Sequence, residues 1–283
     1  MKNKSEMPCT YVEQVVAYID ILGFKKIVSR SENDEELLRL LLDCLEFIKG
    51  HENPNFWDIK FVEIEVSAQK KGLHSFKIDT DVKCTCFSDS IAVSVPVTSQ
   101  TINSVVSTLV AKLAYMGSWL LTRRILIRGG ITVGNLIHQT GGIILGQALI
   151  DAYELENTCA KYPRIIISDK LIGQMNYPIE WKKDSYPYHQ YLTRYQDGCV
   201  GFSQLKFFQV IQSSVAASDQ KLKNALARCR ETIIDGLNHS VEHPDIFEKY
   251  DWLRNQYEKL VILEPGLKED IKPIPENTIH YPT

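Results

Sequence analysis

Residues 12–24 read Val12-Glu13-Gln14-Val15-Val16-Ala17-Tyr18-Ile19-Asp20-Ile21-Leu22-Gly23-Phe24. Val12 to Ile19 is rich in β-branched residues and reads as a buried strand. The strand ends on a carboxylate, Asp20. Gly23 then lets the chain turn, and a helix is expected to begin there.

Outward from this stretch, Asn33 with Glu36 resembles a capping box that opens a helix over Asp34 to Lys49. Its apolar residues Leu37, Leu38, Leu41, Leu45 and Ile48 recur at helical spacing. Asn53 to Asn55 breaks the chain, Phe61 to Val66 alternates as a strand, and Lys70 to Leu73 reads as a turn. Val82 to Phe87 and Ile91 to Val95 flank Ser88-Asp89-Ser90, which predicts a β-hairpin with Asp89 at its tip. Ser99 to Leu121 reads as a helix, Ile125 to Val133 as a strand, and Gly141 and Gly142 open a short apolar strand. Gln147 to Ala160 is expected to be helical, and Arg164 to Ser168 extended. Phe202 to Val210 reads as one further strand. The order predicts an α+β fold built on the βαββαβ pattern of a ferredoxin-like palm. Residues 1–212 form the main domain on this reading, and 213–283 a helical C-terminal extension. That extension has helices over Ser218 to Leu237 and Ile246 to Leu260 and an extended tail over Lys268 to Thr283.

The chain of 283 residues carries a formal net charge of -3, with 44% apolar and 24% charged residues. Such a balance argues against broad nucleic-acid binding, which needs a strongly basic surface. No apolar run is expected to reach the length of a membrane span, and Met1 to Thr10 lacks the apolar core of a signal peptide. The seven cysteines are scattered, without a Cys-x-x-Cys pair. They read as reduced thiols of a cytoplasmic protein.

Two carboxylates stand out by position. In a ferredoxin-like palm the first strand and the hairpin are neighbours, so Asp20 and Asp89 converge at one edge of the sheet. Two carboxylates repel each other unless a cation lies between them. Magnesium or manganese prefers oxygen ligands and shares them with substrate phosphates, and the carbonyl of Ile21 offers a further oxygen. Taken singly, Asp20 reads as a strand-end cap and Asp89 as a turn residue; together they read as a metal site. Leu22-Gly23-Phe24 follows at once, and the first amides of the next helix would point at a phosphate. Arg128 stands in Ile127-Arg128-Gly129-Gly130-Ile131-Thr132-Val133-Gly134, inside an otherwise apolar strand. It needs an anionic partner there, either a phosphate bound bidentately or a core carboxylate.

With these pieces in order, the chain resembles the class III nucleotidyl cyclases. The resemblance rests on Tyr18-Ile-Asp20-Ile-Leu-Gly-Phe24, Phe87-Ser-Asp89-Ser90, Ile127 to Gly134, Gly146 to Glu156 and Arg164 to Ser168. It covers Val12 to Ser168, a little over half of the chain. It implies that Asp20 and Asp89, with the Ile21 carbonyl, hold two divalent ions, Mn2+ or Mg2+. It further implies that Leu22, Gly23 and Phe24 cradle phosphate, that Arg128 contacts the triphosphate, and that the enzyme is a homodimer.

The departures are as informative. Where that family carries a purine-reading lysine and carboxylate, this chain has Thr85 and Ile143. Where it carries the asparagine and arginine of the transition state, this chain has Ile150 and Glu154. The combination resembles the pyrimidine cyclases of the Pycsar antiphage system, which make cyclic CMP or cyclic UMP to activate a separate effector protein. Tyr18 faces the same side as Asp20 and either lines the ribose or base pocket or packs in the core. Lys83 faces either the base or solvent. A purine cyclase and a catalytically silent nucleotide sensor are the alternatives.

Overall fold

The computed structural model describes residues 10–53, 57, 81–139, 142–175, 188–212, 220–263 and 274. The strand expected over Phe61 to Val66, the turn over Lys70 to Leu73 and most of the C-terminal tail lie outside these residues. In chain order the elements are β1 (Val12–Ile21), α1 (Phe24–Ser31), α2 (Glu35–Gly50), β2 (Lys83–Cys86), β3 (Ser90–Pro96) and α3 (Ile102–Leu121). They continue with β4 (Ile127–His138), β5 (Ile144–Leu145), α4 (Gln147–Cys159), β6 (Arg164–Ile167), α5 (Asp169–Gln174) and α6 (Tyr188–Tyr191). The last are β7 (Thr193–Arg194), β8 (Val200–Ser203), α7 (Lys206–Gln212), α8 (Gln220–Asn238) and α9 (Pro244–Leu263).

Among the described residues the protein is a mixed α/β structure on an eight-stranded, mostly antiparallel sheet of order β2-β3-β1-β4-β6-β8-β7, with β5 paired to the end of β4. β1 lies between β3 and β4 and is antiparallel to both; β6 runs parallel to β4. This central place follows from composition. Val15, Ala17, Ile19 and Ile21 are buried on one face against α2 and α3. Val16 and Tyr18 pack on the other face with Ala148 and Ala152 of α4. A strand covered on both faces needs apolar residues at nearly every position, and each fully buried Val or Ile contributes about 1.5–3 kcal/mol.

α4 lies close on its face because β4 has no side chain under it at two positions. A Cβ added at Gly130 would come 2.5 Å from the carbonyl oxygen of Ala152, and one at Gly134 would come 3.3 Å from the Cβ of Ala148. The buried residues of α4, Ala148, Ala152 and Glu156, repeat every fourth position and form the stripe that meets these glycines.

Several expectations change. The side chain that caps α2 is Asp34, which accepts from the Leu37 amide at 2.9 Å, one position later than the Asn33 capping box placed it. The strand expected over Phe202 to Val210 ends at Ser203, and α7 takes over. Gln204 causes the break. Its buried amide donates to the carbonyls of Gly117 (2.8 Å) and Ile125 (3.1 Å) and accepts from the Ile127 amide (2.9 Å). The same bonds hold Ile125 outside β4, which begins two residues later than expected. One helix, α3, does reach the length and hydropathy of a membrane span, with mean hydropathy 1.3, against the expectation that no run would. Of its apolar 18-residue stretch 78% is buried inside the protein, and it serves as the core helix under the sheet. Beyond it, α8 and α9 share an apolar cluster with Leu121, Leu126, Leu205 and Phe208.

Candidate active site

The chain brings Asp20 and Asp89 together through its backbone. Asp20 lies across from Ser90 on β3 and from Arg128 on β4. One residue further on, the amide of Ile21 donates to the Asp89 carbonyl at 2.9 Å, while the amide of Leu22 donates to Leu126 on the other side at 2.8 Å. In an extended strand a residue's N–H and C=O point the same way. The carbonyl of Ile21 therefore faces the hairpin, beside Asp89. The Ser88 hydroxyl donates to Asp89 Oδ1 at 3.0 Å, and Phe87, at the hairpin's tip, is exposed.

Arg128 lies on the same face. Its Nε stands 3.7 Å from Asp20 Oδ2 and in closer contact with Glu156 Oε1. The partner is thus a core carboxylate, one of the two kinds the sequence left open, and Glu156 is the site residue that sequence reasoning missed. Ala148, Ala152 and Glu156 share one buried stripe of α4, but spacing alone does not mark that face as the covered one; once buried, such an acid is paired with a cation or held protonated.

The electrostatics follow from this packing. Burial pushes the Asp20 carboxyl above its ordinary value; Arg128 opposes this, and the charge of Asp89 adds to it. Burial likewise pushes Glu156 up to about 7, against the pull of Arg128 and with a further push from Asp20. The Tyr18 phenol is raised by burial and by the charges of Asp20, Glu156 and Asp89, with a hydrogen bond to Ser90 opposing. Tyr18, Asp20 and Glu156 thus share one neighbourhood beside Asp89, and among the described residues Arg128 is the guanidinium that acts on both buried acids.

Glu156 has a measurable signature. Its folded-state pKa is above the ordinary 4.5, so its contribution is full below about pH 4.5. That contribution is lost as the pH rises to about 7, where the unfolded chain has released a proton that the folded chain still holds. Glu156→Gln keeps an acceptor for Arg128 and removes the titration. Denaturant midpoints at about pH 5 and about pH 8 are expected to fall more for the wild type than for the variant. An equal fall in both would contradict the assignment.

The remaining candidates are placed as follows. Gly23 has φ 73° and precedes α1, a left-handed conformation that glycine adopts at little cost. Lys26 and Ile27 donate to the Gly23 carbonyl, so the earlier amides of the first turn, at Phe24 and Lys25, are left without helical acceptors. The Tyr18 ring packs edge-on against Tyr153 of α4, with centroids 5.5 Å apart. Lys83 pairs with Asp81 at 3.1 Å. Thr85 is engaged by His138 Nε2 at 2.9 Å, whose Nδ1 meets the Ser94 hydroxyl at 2.8 Å; burial lowers this histidine to about 4 and keeps it neutral. Ile143, Leu145, Ile150 and Tyr153 are exposed apolar groups on β5, α4 and their approach, and Glu154 is exposed beside them.

Among the described residues no group of three or more His, Cys, Asp or Glu side chains could hold a metal ion. Asp20 and Asp89, whose charges repel, would with the Ile21 carbonyl offer oxygen donors alone. That donor set suits a hard divalent cation which completes its shell with water and phosphate oxygens. Comparison with protein-family models finds no match to this chain, and no curated protein matches it.

Proposed function

We propose that the chain is a pyrimidine nucleotidyl cyclase, converting UTP or CTP to cyclic UMP or cyclic CMP and pyrophosphate. The observation that carries this reading is the meeting of Asp20 and Asp89 beside Arg128. They sit where the strand order β2-β3-β1-β4 fits a ferredoxin-like palm. In the reaction the ribose 3′-oxygen attacks the α-phosphorus, its proton is lost, and the bond from phosphorus to the pyrophosphate oxygen breaks.

Asp20, Asp89 and the Ile21 carbonyl would hold Mn2+ or Mg2+, which when bound neutralises phosphate charge and acidifies a coordinated hydroxyl. Arg128, steered by Glu156 and Asp20, presents its guanidinium to the phosphates. The free amides of Phe24 and Lys25, with Leu22 and Gly23 shaping the approach, receive phosphate oxygens at the start of α1. Tyr18, half-buried on the same face, borders the sugar or base. The exposed Ile143, Leu145, Ile150 and Tyr153 support a homodimer that covers them, since apolar groups gathered on one surface mark contact sites. The product would act on a separate effector in antiphage defence.

A second reading, a silent cyclase-like sensor, draws on α4. Ile150 and Glu154 stand exposed where a cyclase of this kind carries its transition-state asparagine and arginine. Purified protein incubated with manganese and ATP, GTP, CTP or UTP separately, with products identified by mass spectrometry, tests both. A cyclic pyrimidine monophosphate is the expected product. Cyclic AMP or cyclic GMP alone would reject the pyrimidine branch, and triphosphate binding without pyrophosphate release would favour the sensor.

A further inference from the structure

A cavity of about 640 Å³ lies where the β7 edge of the sheet meets α9. That volume is within the roughly 300–1,000 Å³ of small-molecule pockets. Asp20 and Asp89 do not line it. Its walls carry Arg164, Arg194, Lys206 and Lys259, and among the described residues Asp197 is the one acid that faces them. Asp197 is already taken: both its oxygens contact the guanidinium of Arg164, which is 1% exposed.

Lys206 is different. Its ammonium donates to two neutral groups, Thr193 Oγ1 at 3.3 Å and Gln209 Oε1 at 2.9 Å. Among the described residues no carboxylate pairs with it. Burial lowers it to about 8, so it is still charged at neutral pH. A cation drawn out of water without a counter-charge is costly, and an anion delivered to it recovers that cost. Beside it stands an aromatic wall. Trp252 of α9 stacks on Tyr162 with centroids 5.3 Å apart and planes 5° from parallel, and Tyr195 leans on the same indole at 5.6 Å. The guanidinium of Arg164 lies over Tyr195 and Tyr162, 4.8 and 5.3 Å from their centroids. The wall a ligand meets is thus a mixed aromatic and guanidinium cluster, and both kinds of plane accept planar rings with little regard to their identity.

We infer that this cavity binds a phosphate-bearing ligand with a planar ring, a nucleotide, at a site separate from Asp20 and Asp89. Lys206, Arg194 and Lys259 receive the phosphate, and the Trp252 cluster supports the ring. Bound there, the ligand bridges the edge of the sheet and α9, so occupancy fastens the C-terminal helices to the sheet. The inference does not rest on the cyclase reading.

The test is calorimetric titration of the full chain in EDTA with UMP, AMP, uridine, ribose 5-phosphate and inorganic phosphate. UMP or AMP is expected to bind at least about tenfold more tightly than uridine, ribose 5-phosphate or phosphate. Lys206→Met is expected to weaken that binding by at least about tenfold, Asp20→Ala to leave it unchanged. Lys259→Glu, on an exposed residue that does not threaten the fold, is expected to weaken it by several-fold. Absence of nucleotide binding overturns the inference, as does equal affinity for ribose 5-phosphate. Binding lost in Asp20→Ala but kept in Lys206→Met and Lys259→Glu overturns it too.

Discussion

Replacing Asp20 by alanine is expected to lower turnover in the proposed cyclase reaction by about a thousandfold or more while the protein stays folded. The loss follows from the cluster around it. Asp20 is one of two carboxylates that would hold the cation, and Lewis-acid stabilisation of transferring phosphate is worth several kcal/mol, with each 1.36 kcal/mol equal to tenfold in rate. The fold tolerates the change for an electrostatic reason. Asp20 is raised by burial and adds to the raising of Glu156. Its removal therefore relieves repulsion and leaves Arg128 in contact with Glu156. Product formation measured by mass spectrometry beside thermal unfolding separates the two effects. Turnover within a few-fold of wild type would sink the assignment of Asp20, and a collapse of the melting temperature would make it a structural residue.

Gly130→Val is expected to destabilise the protein by about 3 kcal/mol or more, the upper range for overpacking. The obstacles to a side chain there are the Ala152 carbonyl oxygen at 2.5 Å, the Glu156 amide nitrogen at 3.0 Å and the Leu155 Cβ at 3.0 Å. Two of the three are helix backbone, which cannot rotate aside, so α4 must move as a body. The move carries Glu156 away from Arg128 and costs activity even in molecules that remain folded. Gly129→Ala presses instead on the Ile19 side chain and the Tyr18 carbonyl, on the far side of the strand. It is expected to destabilise without displacing α4. Denaturant titration of both variants together with turnover per folded molecule checks the pair. Equal stability of Gly130→Val and wild type would show that α4 is not seated on that glycine.

Much of this was legible in the chain. The β-branched run Val12 to Ile19 read as a buried strand, which the structure extends to Ile21, and the hairpin was marked by turn residues between two apolar runs. The convergence of Asp20 and Asp89 was expected from that topology, and the bond from the Ile21 amide to the Asp89 carbonyl is what the backbone shows of it. Glu156 was not legible as a site residue because a single acid in a helix is usually solvated; only the glycines of β4, which admit α4 to the sheet, make it a buried partner. The error at Phe202 to Val210 has a similar cause. Phe202 is extended and Phe208 helical, and a local apolar pattern cannot distinguish them. The deciding residue is Gln204, whose three hydrogen bonds reach positions 117, 125 and 127. Long-range polar contacts leave no local period in a sequence.

The middle position of β1 bears on how the chain is made. Its anchors to β4 reach far along the sequence: the Gln14 side chain bonds to the Leu136 carbonyl 122 positions away. A ribosome adding about 5–20 residues per second takes roughly 6–25 s to cover that distance. For that interval the emerging segment Val12 to Ile21 has β3 as its one possible strand neighbour, pairing Gln14 with Pro96 and Asp20 with Ser90, and its β4 edge stays open to premature association. The segment that carries Asp20 is thus among the first made and stays open on one edge until β4 emerges, so the yield of active protein will depend on what shields that edge during synthesis.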